Sequence, residues 1–140
     1  MMKKILILGG LICTSIGSMT IYGGNSKIET FQFKLSPKKE NDYAFTRWRV
    51  KENRTAMRCE VNYVKTAKTP VVLWAQGKSH MIGGTKNCAG GMYYKVVGTR
   101  HISMYNTVRE DGCNWARIAA GADKKHRANK VEGVWSPDMR

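Results

Sequence analysis

The stretch Met57-Arg58-Cys59-Glu60-Val61-Asn62-Tyr63-Val64 decides how the chain is read, because Met57, Cys59, Val61 and Tyr63 are apolar and Arg58, Glu60 and Asn62 between them are polar. Side chains alternate across a strand with a period of two, so this is a strand with one face in a core and the other in water. Upstream, Thr30 to Leu35 sets Phe31, Phe33 and Leu35 on one face, and Ala44 to Lys51 sets Ala44, Trp48 and Val50 against Arg47, Arg49 and Lys51. Downstream, Val71-Val72-Leu73-Trp74-Ala75 follows Pro70 and is apolar on both faces, the pattern of a central strand. Met92 to Val97, His101 to Val108, Trp115 to Ala120 and Val131 to Trp135 continue the series. Turn chemistry separates the runs: Ser36 to Asp42, Lys65 to Pro70, Gly83-Gly84, Gly98-Thr99-Arg100 and Glu110-Asp111-Gly112. No amphipathic helix of useful length is present. The expected fold is all-β or mostly β: a small single-domain sandwich or OB-like barrel of about eight short strands.

The first residues follow another logic. Lys3-Lys4, the apolar run Ile5 to Ile12 and the small residues around Ser15-Ile16-Gly17-Ser18 form the three regions of a secretory signal peptide. Cleavage is expected after Gly17, with a site near Gly23 as the alternative, leaving residues 18–140 as one secreted or periplasmic domain. The apolar run, broken by Gly9-Gly10, is shorter than the roughly twenty residues of a spanning helix, so no transmembrane segment is expected in the mature chain.

The chain carries 24 Lys and Arg against 10 Asp and Glu, a net charge of +14. Removing the leader takes Lys3 and Lys4, leaving 22 against 10, or +12. A charge of this size concentrates anionic partners at the surface and weakens with salt. Arg47, Arg49 and Lys51 on one face of their strand, with Arg58 projecting from the polar side of its own, predict a basic stripe on a sheet. Lys124, Lys125 and Arg127 add a cationic rim. Guanidinium groups on a rigid sheet suit bidentate contacts with carboxylate, sulfate or phosphate. Trp74, Tyr93, Tyr94 and Tyr105 offer stacking faces for sugar or base. The expected partner is an acidic glycan or an acidic protein surface, with non-specific nucleic-acid binding at low salt.

Three cysteines lie beyond the leader. Cys88 and Cys113 both sit in turn-like settings, Lys86 to Gly91 and Asp111 to Asn114, and are expected to form a disulfide; pairings that include Cys59 remain open. Cys59, on the apolar side of its strand, reads as a buried thiol. His80, His101 and His126 show none of the spacings of a metal site, and no metal or cofactor is expected. Gly77-Lys78-Ser79 ends like a phosphate loop, but Val72 stands where its first glycine belongs. No G-x-S-x-G turn occurs. These absences favour a non-enzymatic binding protein, whether inhibitor, immunity protein or toxin-binding subunit. The alternative is a small basic ribonuclease-type toxin using His101, His126 and Glu60 for general acid–base catalysis.

Overall fold

Each run marked by alternation contains a strand in the computed structural model, which describes residues 24–36, 43–80, 82–122 and 128–139. The strands are β1 (Glu29–Leu35), β2 (Tyr43–Phe45), β3 (Arg49–Val50), β4 (Met57–Val64), β5 (Val71–Lys78), β6 (Lys86–Asn87), β7 (Tyr94–Val96), β8 (Arg100–Met104), β9 (Trp115–Ala122) and β10 (Asn129–Ser136). No helix occurs among the described residues. One antiparallel sheet has the order β1-β10-β4-β8; the other has the order β2-β9-β5-β6, with β3 also paired to β9 and β7 to β5. The architecture is all-β, and two sheets sharing one core fit the sandwich of the two expected forms. The leader region lies outside the described residues.

Alternation explains the core. Phe31, Phe33 and Leu35 of β1, Met57, Cys59 and Val61 of β4, and Val131 and Trp135 of β10 join Val71, Leu73 and Ala75 of β5 and Ala116, Ile118 and Ala120 of β9 in one buried cluster. Each large side chain buried there contributes roughly 1.5–3 kcal/mol relative to exposure. β5 is central as expected, hydrogen-bonded to β9 on one side and to β6 and β7 on the other.

Two irregularities depart from simple alternation. The expected strand Ala44 to Lys51 is broken: Phe45 stands opposite Ala119 and Arg49 opposite Ala116, four residues advancing against three. One extra residue reverses the facing of everything beyond it. Arg49 and Lys51 therefore point inward, at 5% and 0% exposure, while Val50 faces water. The expected basic stripe does not form. The second irregularity lies between β10 and β4, where Glu132 pairs with Tyr63 and Gly133 with Val61, leaving Asn62 extra.

The inward cations are satisfied by a polar knot at one end of the sandwich. Lys51 Nζ donates to the carbonyls of Thr55 and Pro137 at 2.7 and 2.8 Å and to Asp138 Oδ1 at 2.8 Å. Asp138 also accepts the backbone N–H groups of Asn25, Glu52 and Asn53 at 2.7, 2.8 and 3.3 Å. Burial holds the Lys51 ammonium below its ordinary pKa, against the upward pull of Asp138. Arg49 donates to the carbonyls of Trp135 and Lys27 at 3.1 and 2.6 Å and lies over the Trp135 ring.

The described cysteines are all buried thiols. Cys88 and Cys113 come together beneath β5, where a Cβ placed on Gly77 would lie 2.9 Å from one sulfur and 3.3 Å from the other. Cys59 lies apart, in the core of the opposite sheet. Burial pushes the Cys59 thiol up to about 12. Thiolate is the reactive form, so Cys59 should resist a thiol reagent at pH 8 in the folded protein and react at once in denaturant. Rapid native labelling of Cys59 would contradict this burial.

Candidate ligand-binding face

The outward residues of the second sheet follow from its register. β5 presents Val72, Trp74, Gln76 and Lys78, and β9 presents Trp115, Arg117, Ala119 and Gly121, so that Trp74 lies beside Ala119 and Gln76 beside Arg117. β2 adds Tyr43 opposite Gly121 and Phe45 opposite Ala119. The small residues of β9 let the flanking rings close over that strand. A Cβ on Gly121 would meet the Tyr43 ring at 3.1 Å and Trp74 at 3.6 Å. Tyr43 and Trp74 meet edge to face with centroids 5.6 Å apart, and Tyr93 joins Trp74 at 5.7 Å. The Tyr93 hydroxyl accepts a hydrogen bond from Asn87 Nδ2 at 2.8 Å. Tyr43 and Tyr93 stay 49% and 50% exposed, so the ribbon of rings keeps apolar surface in contact with water.

Beside these rings lies a second row. The guanidinium carbon of Arg117 is 3.8 Å from the Phe45 ring centroid and 4.3 Å from that of Trp48, and Lys78 Nζ is 4.6 Å from the Trp48 centroid. Arg117 Nε donates to Gln76 Oε1 at 2.8 Å. Two rings and an amide thus orient the guanidinium before any ligand arrives, each cation–π contact contributing about 0.5–1 kcal/mol. Partial burial lowers the Arg117 pKa, with no opposing contribution from a carboxylate, and arginine stays charged at any working pH. The set offers flat apolar rings next to an oriented guanidinium and an amide.

The outer face of the first sheet differs in kind. Arg58 pairs with Glu60 and Lys130 reaches Glu132 at 3.2 Å, and at the sheet's edge Arg47, between β2 and β3, donates from Nε and Nη2 to the two carboxylate oxygens of Glu29. The Arg47 hydrogen bond holds Glu29 below the ordinary carboxylate pKa, and the Gln32 hydrogen bond does the same for Glu132. Three cations, Arg47, Arg58 and Lys130, are thus matched by acids. Register also places Glu60 opposite His101, with His101 Nε2 4.0 Å from Glu60 Oε1, in a shallow groove lined by Arg58, Ser103 and Met139.

The residues expected to form a ligand site are therefore divided. Arg47 and Arg58 are exposed but paired; Arg49 and Lys51 are buried; Lys124, Lys125, His126 and Arg127 lie outside the described residues. Trp74 and Tyr93 do meet on one face. Tyr94 packs against the core with its hydroxyl accepting from the Tyr105 N–H at 2.9 Å, and Tyr105 stands elsewhere, over Gly90. The reading of the sequence missed Phe45, Trp48 and Arg117 as a set. Their signal was present in the polar-side alternation of Trp74, Gln76 and Lys78 and of Trp115 and Arg117, but the pairing of these strands was not. Among the described residues no group of three His, Cys, Asp or Glu side chains is placed to hold a metal ion.

A family model described as "Protein of unknown function (DUF2712)" matches residues 17–139. The chain belongs to the DUF2712 family. A search of curated proteins finds no match. The match to the DUF2712 model spans every strand of both sheets, so the aromatic face and the polar knot both fall within the family's domain.

Proposed function

We propose that this DUF2712 protein is a non-enzymatic secreted or periplasmic binding protein that recognises an anionic partner, either an acidic glycan or an acidic protein surface. Inhibitor, immunity protein and toxin-binding subunit are all roles within this reading. The observation that carries it is Arg117, held between aromatic rings on an open sheet face of a chain with net charge +14 and with no described carboxylate acting on it. Export is supported by the leader pattern of Lys3-Lys4, Ile5 to Ile12 and Ser15 to Ser18. Lys124, Lys125 and Arg127 add charge between β9 and β10 in the sequence.

The test is binding of the purified mature protein to immobilised polyglutamate, polygalacturonate and neutral dextran over a range of salt. Retention on the two anionic polymers is expected, falling as salt rises, with none on dextran. Arg117→Gln should weaken binding about tenfold, the loss of one charge-assisted bidentate contact, whereas Lys68→Gln on an exposed turn should change it less than twofold. Equal effects of the two substitutions, or no binding, would overturn the reading.

In an oxidising compartment the adjacent Cys88 and Cys113 form the disulfide and Cys59 remains a thiol. In the loop-entropy model, closing that loop contributes about 3 kcal/mol. Intact-mass and peptide analysis of protein exported by a bacterial host tests leader and bridge together. It should show loss of residues 1–17 and one Cys88–Cys113 link. A bridge to Cys59, or a retained leader, would contradict the assignment.

One observation favours a second reading as a ribonuclease-type toxin: Glu60 faces both His101 and Arg58, an acid–base pair next to a phosphate-binding cation. End-labelled RNA separates the two. Intact RNA, shifted on a native gel at low salt, agrees with a binding protein. Cleavage that disappears in His101→Ala and Glu60→Gln would replace it with the enzyme.

A further inference from the structure

We infer that the face formed by Tyr43, Trp74, Tyr93, Gln76 and Arg117 binds an acidic polysaccharide, with a pyranose ring laid on the Tyr43–Trp74–Tyr93 ribbon and the sugar's carboxylate or sulfate held by Arg117. This rests on the anion-binding reading above and assigns its ligand class and its place on the fold.

Two observations choose a sugar over an acidic protein, and a third makes its acid group a requirement. The first is the ring surface itself. Three aromatic side chains are continuous across β2, β5 and the loop before β7, and two of them remain half exposed although the core could have used their area. The C–H faces of a pyranose match such surface, while an acidic protein patch presents carboxylates on flexible stems and leaves the rings uncovered. The second is the orientation of Arg117. Its guanidinium is held by Phe45, Trp48 and Gln76, so its fork is fixed relative to the rings and suits an acid group fixed on a sugar ring. The third is charge complementarity. Arg47, Arg58 and Lys130 are matched with Glu29, Glu60 and Glu132, whereas Arg117 has no carboxylate partner among the described residues. The Gln76 amide beside the guanidinium supplies the neutral donor and acceptor that ring hydroxyls require. Carboxylated and sulfated sugars share this chemistry.

The experiment compares polygalacturonate, dextran sulfate, neutral dextran, polyglutamate and single-stranded polyuridylate, measured by calorimetry and by tryptophan emission. Two substitutions bear on Trp74: Trp74→Leu removes the ring and keeps apolar bulk, and Trp74→Tyr retains a ring. Melting temperatures establish that both variants are folded. Binding to polygalacturonate or dextran sulfate should exceed that to polyglutamate at equal charge by at least about tenfold and should change tryptophan emission. Trp74→Leu should lower it by at least about tenfold, Trp74→Tyr by less, and neither should affect polyglutamate. Whichever acidic polymer binds more tightly names the acid group. Equal binding of all anionic polymers, indifferent to Trp74, would overturn the sugar assignment and leave the anion-binding reading standing. Tighter, Trp74-dependent binding of polyuridylate would replace the sugar with a nucleic acid. No binding to any anionic polymer would defeat both readings.

Discussion

Replacing Asp138 by alanine is expected to remove about 3–5 kcal/mol of stability, lowering the melting temperature by roughly 15–25 °C if it leaves a folded protein at all. The substitution strands the buried Lys51 ammonium with carbonyl partners only and leaves three backbone N–H groups, those of Asn25, Glu52 and Asn53, without their acceptor. Those groups lie on both sides of the sandwich end, so the loss releases the segment before β1, the loop after β3 and the chain's last residues together. Lys51→Met should be nearly as damaging because it leaves the carboxylate buried. The double variant Lys51→Met/Asp138→Asn should lose less than the sum of its singles, with a coupling of about 1–3 kcal/mol. Additive losses in denaturant titrations would show that the two groups do not act as a pair. A pH check follows from Lys51. Its folded pKa is below the ordinary 10.5, so the unfolded chain holds the proton more tightly, and stability should rise with pH across the interval between the two values. Lys51→Met should lose that contribution to the slope.

Gly133→Ala is the second large effect. The added Cβ would lie 2.1 Å from the Glu60 carbonyl oxygen and 2.8 Å from Phe31 Cζ, on a central strand where β4 and β1 close in from either side. The ring can swing away, but the carbonyl belongs to the backbone of β4 and moves only if the sheet opens. A loss of roughly 3 kcal/mol or more is expected, at or above the usual range for overpacking, and the yield of folded protein should be low. Phe31→Leu added to Gly133→Ala separates the two clashes. It should recover only a minor part of the loss, because the contact with Glu60 persists. Full recovery would place the strain at the ring and not at the strand pairing.

The division between legible and illegible features follows from range. The bounds of Met57 to Val64 were read correctly, and so was its alternation as far as Val61, because a half-buried strand's pattern is local; beyond the bulge at Asn62, Tyr63 turns out to water and Val64 packs on the core. Val71 to Ala75 was recognised as central for a related reason: an apolar residue on both faces needs cover on both. The neighbourhood of Cys88 and Cys113 was also legible, because turn chemistry brought each to the edge of a strand. Arg47, Arg49 and Lys51 were read wrongly as one stripe, and the cause is a single extra residue opposite β9. A bulge changes no residue type, so alternation carried through it points the wrong way. The aromatic face failed differently. Every member was visible in the sequence, but Phe45, Trp74 and Arg117 come from β2, β5 and β9, separated by long stretches of chain.

By itself the sequence determined an all-β chain, its main strands, a strongly basic character and most of the apolar side chains that enter the core, because these depend on period-two patterning and composition; Val50 and Tyr63, each beyond a bulge, turn out to water instead. Tertiary structure alone decided which cations remain at the surface and which rings share a face. Strand order and register set those distances. A polar pocket closed by Asp138 from the far end of the chain makes it favourable for Lys51 to point inward, and no local pattern around Lys51 records that partner.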